Sequence, residues 1–499
     1  MSICLLFPSP DCVRVVVYVK NQSNSFIGKA YAKVLMGYIR DMTSKLDRTQ
    51  PLYIIELGTG SGKFSYYMLK ALVEMSSTVD FPIEKICYVM TDFTESNFNY
   101  WEEHPQLKPF FETGQLESAI FDAVRDTTIT LSHSGVVLSP GSVVNPICIV
   151  ANYLFDTLCH DIFQVTPAPA GSGRQGTLKE GLISVGSKRA EEKDPLEPEI
   201  IKRLDNRFRY DEIGDDYYNG EDDDGVHFER ILHWYRDYFG CADESDGKPL
   251  DRSGASILLP IGALRALRRL TRFASGRCLV VSGDKGNNNP EQFRGLIDPH
   301  IAVHGSFSVM VNYHAIGAYF TSRGGFALHN PQEEASLKVS TFVLTGDDEA
   351  AAQEDPASAH LSAWTGDQIE EHNQRRAKLF PHLGEAFYDN IEQFGPNDFF
   401  VMQKAMKEDS PTPSLKSIVA LLKLSDHDPD VFYKVIKSPP PRQPPQPPPS
   451  THTLLDISTI YITVSRHLLW SCTMPLKNGA TVPGCDSQPG SKLWVEAQE

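Results

Sequence analysis

At 499 residues, 41% of them hydrophobic, the chain has apolar material for one large domain or for two to three of ordinary size. Its 64 acidic against 47 basic residues leave a net charge of −17, which argues against a nucleic-acid backbone as the main partner, because phosphate contacts need a basic surface. Nine cysteines without a C-x-x-C pair, and equally dispersed histidines, give neither a zinc pattern nor a disulfide framework, so the thiols read as reduced, intracellular and mostly buried. The opening MSICLLFPSPDC has neither the basic n-region of a secretory signal nor the Arg-rich pattern of a transit peptide. No stretch offers the roughly 20 apolar residues that cross a bilayer.

Cys12 to Val19 reads as a short strand or start-up segment. Ser25 to Leu46, with Ala30, Val34, Leu35, Tyr38 and Ile39 on one side, reads as an amphipathic helix. The stretch PLYIIELGTGSGKFSYYMLKAL, Pro51 to Leu72, is a strand, a glycine-rich turn and a helix in immediate succession. Tyr53 to Leu57 is the apolar run of a buried parallel strand, and Glu56 stands two residues before Gly58. Gly58, Gly60 and Gly62 let the backbone turn sharply and let a ligand approach closer than a Cβ would permit. A P-loop would need glycine at Leu57 and Ser or Thr at Phe64, and a dinucleotide fingerprint would need its third glycine at Lys63. The remaining pattern, E-L-G-T-G-S-G, resembles motif I of class I S-adenosylmethionine (SAM) methyltransferases. A tight βα turn in another α/β protein is the alternative reading of these residues.

Ile86 to Thr91 is a second apolar strand that ends in Asp92, where a carboxylate is placed to accept hydrogen bonds from both hydroxyls of a ribose. His104 to Ala123 offers a helix and a short strand, with Asp122 near its end. Pro146 to Asn152 is a further strand, running into Tyr153, Leu154, Phe155 and Asp156. ELGTGSGKF, MTDFTES and IVANYLFDTLCHDIF together resemble the MidA-like SAM-dependent methyltransferases, whose fourth strand leads into A-N-E-x-x-D-A. Ala151, Asn152 and Asp156 stand at the matching places, while Tyr153 replaces the family's Glu. The resemblance covers roughly Leu52 to Thr345 with gaps. It implies an α/β fold with a Rossmann-like class I methyltransferase sheet. It further implies a SAM site formed by Glu56, Gly58, Thr59, Gly60, Gly62, Asp92, Phe93 and Asp122, and a helix before the first strand that covers the cofactor with Tyr31 contributing. Asn152 and Asp156 would face the methyl group as catalytic residues. The best-known branch of the family methylates arginine in a protein substrate.

Phe163 to Gly240 reads as an insertion, with Gln164 and Val165 pairing Leu178 to Val185 as a hairpin, a solvated and disordered acidic stretch at about 186–225, and a helix from Val226 to Phe239 that caps the cleft. The core resumes at Ser256. RCLVVSGDKG gives a buried strand ending at Asp284 and Gly286, where the family has a strand and a D-Y-G-like turn, and Ser336 to Leu344 belongs to a closing antiparallel pair. Residues 347–437 form a helical extension. Its FGPNDFF and LLKLSDHDPDVF resemble the extension that joins MidA-like domains to tetratricopeptide repeats, which implies a docking region. Ser438 to Ser450, SPPPRQPPQPPPS, is extended polyproline, a linker or a ligand for an SH3 or WW partner.

The expected organisation is therefore a helical lead-in at 1–50, a methyltransferase domain at 51–346, the helical extension, and a linker with disordered tail at 438–499. The expected protein is a SAM-dependent methyltransferase acting on a protein side chain, cytoplasmic with the mitochondrion as alternative, without nucleic acid, membrane or metal. Its rivals are a SAM-binding scaffold without turnover, which Tyr153 makes credible, and an interaction module on a vestigial enzyme fold.

Overall fold

The residues described in the computed structural model are 24–169, 175–189, 191, 200, 203–220, 225–240, 254–303, 307–331, 337–346, 365–408 and 413–431. In chain order the strands used below are β1 (Leu52–Leu57), β2 (Ile86–Asp92), β3 (Leu116–Ile120), β4 (Ile147–Asn152), β5 (Asp161–Thr166), β6 (Thr177–Ser187), β7 (Leu204–Glu212), β8 (Ala255–Leu259), β9 (Arg277–Asp284), β10 (Phe326–His329) and β11 (Lys338–Thr345). Seven of them form one sheet in the order β10-β11-β9-β4-β1-β2-β3. Neighbours are parallel except at β11, which is antiparallel to both β9 and β10. This is an α/β fold with a parallel-dominated, Rossmann-like sheet. β5 to β8 form a second, wholly antiparallel sheet in the order β8-β5-β6-β7, inserted between β4 and β9.

Every residue of β1 and β2 is buried, because the sheet is covered on both faces; hence their apolar runs do not alternate with polar residues. The strand period of two instead sorts alternate residues into two cores. Tyr53, Ile55, Val89, Ile149 and Val280 join one cluster. Ile54, Tyr88, Met90, Val150 and Val281 join the other. The first face carries the helices α4 (Gly225–Gly240), α5 (Ile261–Thr271) and α6 (Tyr313–Ser322). The second carries α1 (Ser25–Met42), α2 (Lys63–Met75) and, through Trp101, α3 (Glu95–Glu103).

α1 is buried on most of its circumference, because it lies between α2 and a helix from the far end of the chain. A Cβ at Gly37 would stand 2.5 Å from the carbonyl oxygen of His382, so only glycine lets the two backbones meet. Asp41 of α1 accepts from the backbone N–H groups of His382 at 3.2 Å and Leu383 at 2.9 Å, capping that helix from outside its own sequence. Phe26 stacks on Phe399.

The segments expected as a separate lead-in and as the start of an extension thus belong to one unit with the sheet. That unit runs to Pro411 and includes the helices Gly366–Ala377, Pro381–Phe387 and Pro396–Glu408. The second unit, from Thr412, contains the helix Leu415–Leu424, capped by the Ser414 side chain and burying Ile418, Leu421 and Leu422.

The expected hairpin is present as β5 and β6. The expected disordered stretch is corrected in part, since β7 pairs with β6 along its length from Lys179↔Glu212 to Ser187↔Leu204. Its charged residues occupy an exposed edge strand, where alternation of polar side chains conceals the pairing. The helix expected to cap the cleft is α4, which packs on α6 and β5, with Tyr235 donating to Asn312. Cys12 to Val19, the acidic residues 221–224 and the polyproline stretch lie outside the described residues. No helix among the described residues is long and apolar enough to cross a membrane.

Candidate functional site

Strand register fixes the site before any side chain does. Leu57 pairs with Thr91 and Ala151, and Ala151 with Ser282, so the carboxyl ends of β1, β2, β4 and β9 are level. The residues that follow them emerge on one edge. The sheet order also reverses between β1 and β4, the switch point where ligands settle in open α/β sheets.

Gly58, Gly60 and Gly62 all have positive φ, at 65°, 62° and 77°. What surrounds them differs. A Cβ at Gly58 would stand 2.9 Å from Leu154, and one at Gly62 would stand 2.8 Å from Met90 and 3.2 Å from Trp101. Those two positions are therefore crowded, Gly58 by the end of the Leu154 side chain and Gly62 by the end of Met90 and the Trp101 ring. At Gly60 nothing lies within 4 Å of the added carbon. The Trp101 indole N–H donates to the Gly60 carbonyl at 2.8 Å, and the Gly60 N–H donates to Asp92 Oδ2 at 3.1 Å, so the open residue is held on both sides. Thr59 is tied to the next strand, its N–H donating to the Thr91 carbonyl at 2.9 Å and its hydroxyl accepting from the Thr91 N–H at 3.2 Å.

The Asp92 carboxylate is nearly buried and takes four donors: Gly60 N–H, the Asn97 side-chain amide at 2.9 Å, and the N–H and hydroxyl of Thr94 at 3.0 and 2.9 Å. A carboxylate offers about four lone-pair directions. Ribose hydroxyls at Asp92 would consequently exchange with the Gly60 or Asn97 donor. Phe93, the next residue, is 64% exposed. Ile120, which pairs with Asp92 across the sheet, is 49% exposed. Two large apolar side chains thus stand at adjacent strand ends, where a flat heterocycle would cover them. Asp122 lies two residues beyond β3, and its Oδ1 accepts from the Val124 N–H at 2.8 Å while Oδ2 stands 3.7 Å from Arg125. It organises its own turn.

Glu56 sits beneath the turn. It is buried and accepts from the hydroxyls of Ser65, on α2, and Tyr88, on β2 at 2.9 Å. Burial pushes its carboxyl up to about 7 against the pull of these hydrogen bonds. Glu56 therefore ties β1, β2 and the following helix into the frame that carries the turn.

The second group lies across the switch point. Asn152 ends β4, and its Oδ1 accepts from the Tyr31 phenol of α1 at 3.2 Å. Tyr153 has φ 54°, a left-handed conformation that a bulky side chain adopts only under constraint, and its N–H donates to the Gly283 carbonyl at 2.8 Å. Asp156 follows in a short turn, Phe155–Thr157, and its N–H donates to Asp284 Oδ2 at 3.1 Å. Asp284 ends β9 and is fully buried, with Oδ1 accepting from the Lys285 N–H at 2.8 Å. Burial raises Asp156 to about 6, and burial together with the neighbouring Asp156 holds Asp284 well above the usual carboxylate range.

The structure thus brings Gly60, Asp92 and Phe93 together at one place, and Asn152 with Asp156 at another along the same edge. Sequence reasoning missed Asp284 as a site residue; the only signal for it was the acidic end of a buried strand. Tyr31, expected over the cofactor, has Asn152 as its hydrogen-bond partner.

No protein-family model and no curated relative matches the chain. Among solved structures, an uncharacterized COG1565 superfamily protein from Burkholderia thailandensis is similar over 67% of this chain and 85% of its own, at 12% identity and a TM-score of 0.35. A COG1565 superfamily member from the same organism, bound to S-adenosylhomocysteine, is similar over 66% of this chain and 81% of its own, again at 12% identity and a TM-score of 0.35. A loganic acid methyltransferase with S-adenosylhomocysteine covers 74% of this chain and 90% of its own at 10% identity and a TM-score of 0.26. Likeness at this level transfers no activity.

Proposed function

We propose that the chain is a SAM-dependent methyltransferase. The observation that carries the reading is Gly60: the one glycine of the turn with open space where its side chain would be, held between Asp92 and Trp101 at the switch point of the sheet. The open backbone at Gly60 and the exposed Phe93 and Ile120 fit an adenosyl group, with Asp92 exchanging a protein donor for ribose hydroxyls. Gly58, Thr59 and Gly62 shape that cradle, Glu56 supports it from below, and Asp122 supports the loop at its edge.

When bound, SAM supplies an electrophilic methyl on a sulfonium, and alignment of acceptor and methyl provides much of the rate. Tyr31 takes the Oδ1 end of Asn152, which leaves the amide nitrogen to orient the acceptor. The Asp156 carboxylate takes the acceptor's proton. An arginine of a protein substrate, the acceptor implied by the MidA-like resemblance, needs such a carboxylate because free guanidinium stays protonated. The polyproline stretch would serve an SH3 or WW-type partner. We place the protein in the cytoplasm, with the mitochondrion as the alternative.

Calorimetry with SAM and S-adenosylhomocysteine tests the reading. Wild type binds both, and Gly60→Arg and Asp92→Ala each abolish binding; unchanged affinity in both variants refutes the placement. A SAM-binding scaffold with weak turnover is the second reading, favoured by the constrained Tyr153 where the resembling family has Glu. Binding without labelled-methyl transfer to any lysate fraction would select it.

A further inference from the structure

Asp156 and Asp284 meet although 128 residues separate them. Besides accepting the Asp156 N–H, the Asp284 side chain lies close enough to the Asp156 carboxyl for the two to interact electrostatically. Yet Asp156 Oδ1 is buried and finds no donor among the described residues. A buried acceptor without a donor is destabilising, so native structures seldom leave one. Two facing carboxylates cannot satisfy each other. One carboxyl and one carboxylate can, through a single O–H···O bond.

We propose that Asp156 and Asp284 form one acid pair holding a single proton, in which Asp284 is the positioning residue that sets the orientation and ionisation of the Asp156 carboxylate. The proposal builds on the methyltransferase reading, where Asp156 takes the acceptor's proton.

The surroundings favour this arrangement. Among the described residues, the titratable groups that face the pair are Tyr31 from α1, Tyr153 after β4, Tyr313 at the start of α6, and Lys285 beside Asp284. The three phenols are neutral, all raised chiefly by burial and further by the negative charge of the acid pair. Lys285 is the one cation among them and pulls Asp156 towards ionisation. A pair carrying one charge matches one cation; two charges in the same buried space would repel. The backbone is shaped around the contact as well. A Cβ at Gly283 would collide with the Tyr31 hydroxyl and stand 3.1 Å from Asn152 Oδ1, so glycine there admits both side chains beside Asp284. The Tyr153 N–H, bonded to the Gly283 carbonyl, keeps the turn after β4 against the end of β9.

The test uses the full-length chain without any acceptor. Infrared difference spectra of wild type against Asp284→Asn at neutral pH are expected to show the loss of one protonated-carboxyl C=O band. Its absence means that Asp284 is ionised and overturns the proposal. In carbon-13 spectra of labelled aspartates, the Asp156 signal, identified by its disappearance in Asp156→Asn, is expected to titrate near 6. Asp284→Asn still offers a donor and keeps the midpoint within about half a unit, whereas Asp284→Leu offers none and raises it by about one unit or more. A midpoint unmoved in Asp284→Leu, or moved equally by both, would also overturn it. Should the leucine variant not fold, the infrared band and the asparagine variant decide alone. S-Adenosylhomocysteine calorimetry on the same samples reports on the methyltransferase reading separately: wild type that binds no S-adenosylhomocysteine defeats that reading while the proton count still decides the pair.

Discussion

The two sides of the switch point are built by different means. On the β1–β2 side the site is mostly backbone, three left-handed glycines and strand-end N–H and carbonyl groups locked by Thr59, Asp92 and Trp101. On the β4–β9 side it is side chain: a carboxyl pair, an amide and phenols drawn from α1, β4, β9 and α6. Backbone sites tolerate little change of conformation, whereas side-chain sites tolerate little change of charge. The first side should therefore fail through sterics, and the second through protonation and hydrogen bonding.

The largest effect expected is at Gly62. Gly62→Val puts branched carbons against Met90 and Trp101 at φ 77°, and overpacking plus the left-handed conformation should cost about 2–5 kcal/mol in urea unfolding. Gly60→Ala meets open space, so it should cost only the conformational term of about 1–2 kcal/mol while weakening SAM binding. Equal destabilisation by the two would erase the distinction between a packed and an open glycine.

Glu56 sharpens the comparison, because it is a buried carboxyl beneath the backbone side whose pKa burial raises. Its pKa rises from an ordinary 4.5 to about 7 in the fold, so between those values the folded state binds a proton that the unfolded state does not. Stability from this group is fully present below 4.5 and is lost as pH rises through 7, by roughly 3 kcal/mol at most. Glu56→Gln should flatten that part of the unfolding free energy measured from pH 4.5 to 7, leaving the slope contributed by Asp156 and Asp284. A slope identical to wild type would show that Glu56 is ionised throughout.

The smallest effect is at Tyr31. Tyr31→Phe removes one hydrogen bond to Asn152 and should cost about 1 kcal/mol of stability while S-adenosylhomocysteine affinity stays unchanged. If thermal unfolding shows no loss, or calorimetry shows weakened binding, the phenol serves the cofactor side instead.

Much of the backbone side was legible because its signals are local. A run of apolar residues, alternate glycines and an acidic strand end each follow from the conformation of a few consecutive residues, and β1, β2 and β4 appear within a residue of where their sequences place them. β7 was not legible, since an exposed edge strand rich in charge has the composition of a solvated loop. Nor could composition reveal that the helices at 366–408 belong to the sheet's own unit, because the Asp41 cap and the close approach at Gly37 involve residues more than 300 positions apart.

By itself the sequence determined where the chain turns and which strands are buried, since steric limits on φ and the hydrophobic periodicity act residue by residue. Only the tertiary structure decided which of the three glycines is open, that Asp92 is already fully engaged, and that Asp284 faces Asp156. Those outcomes depend on side chains from distant strands filling or leaving particular spaces, and on how burial without water shifts the proton of a carboxyl, neither of which any single segment encodes.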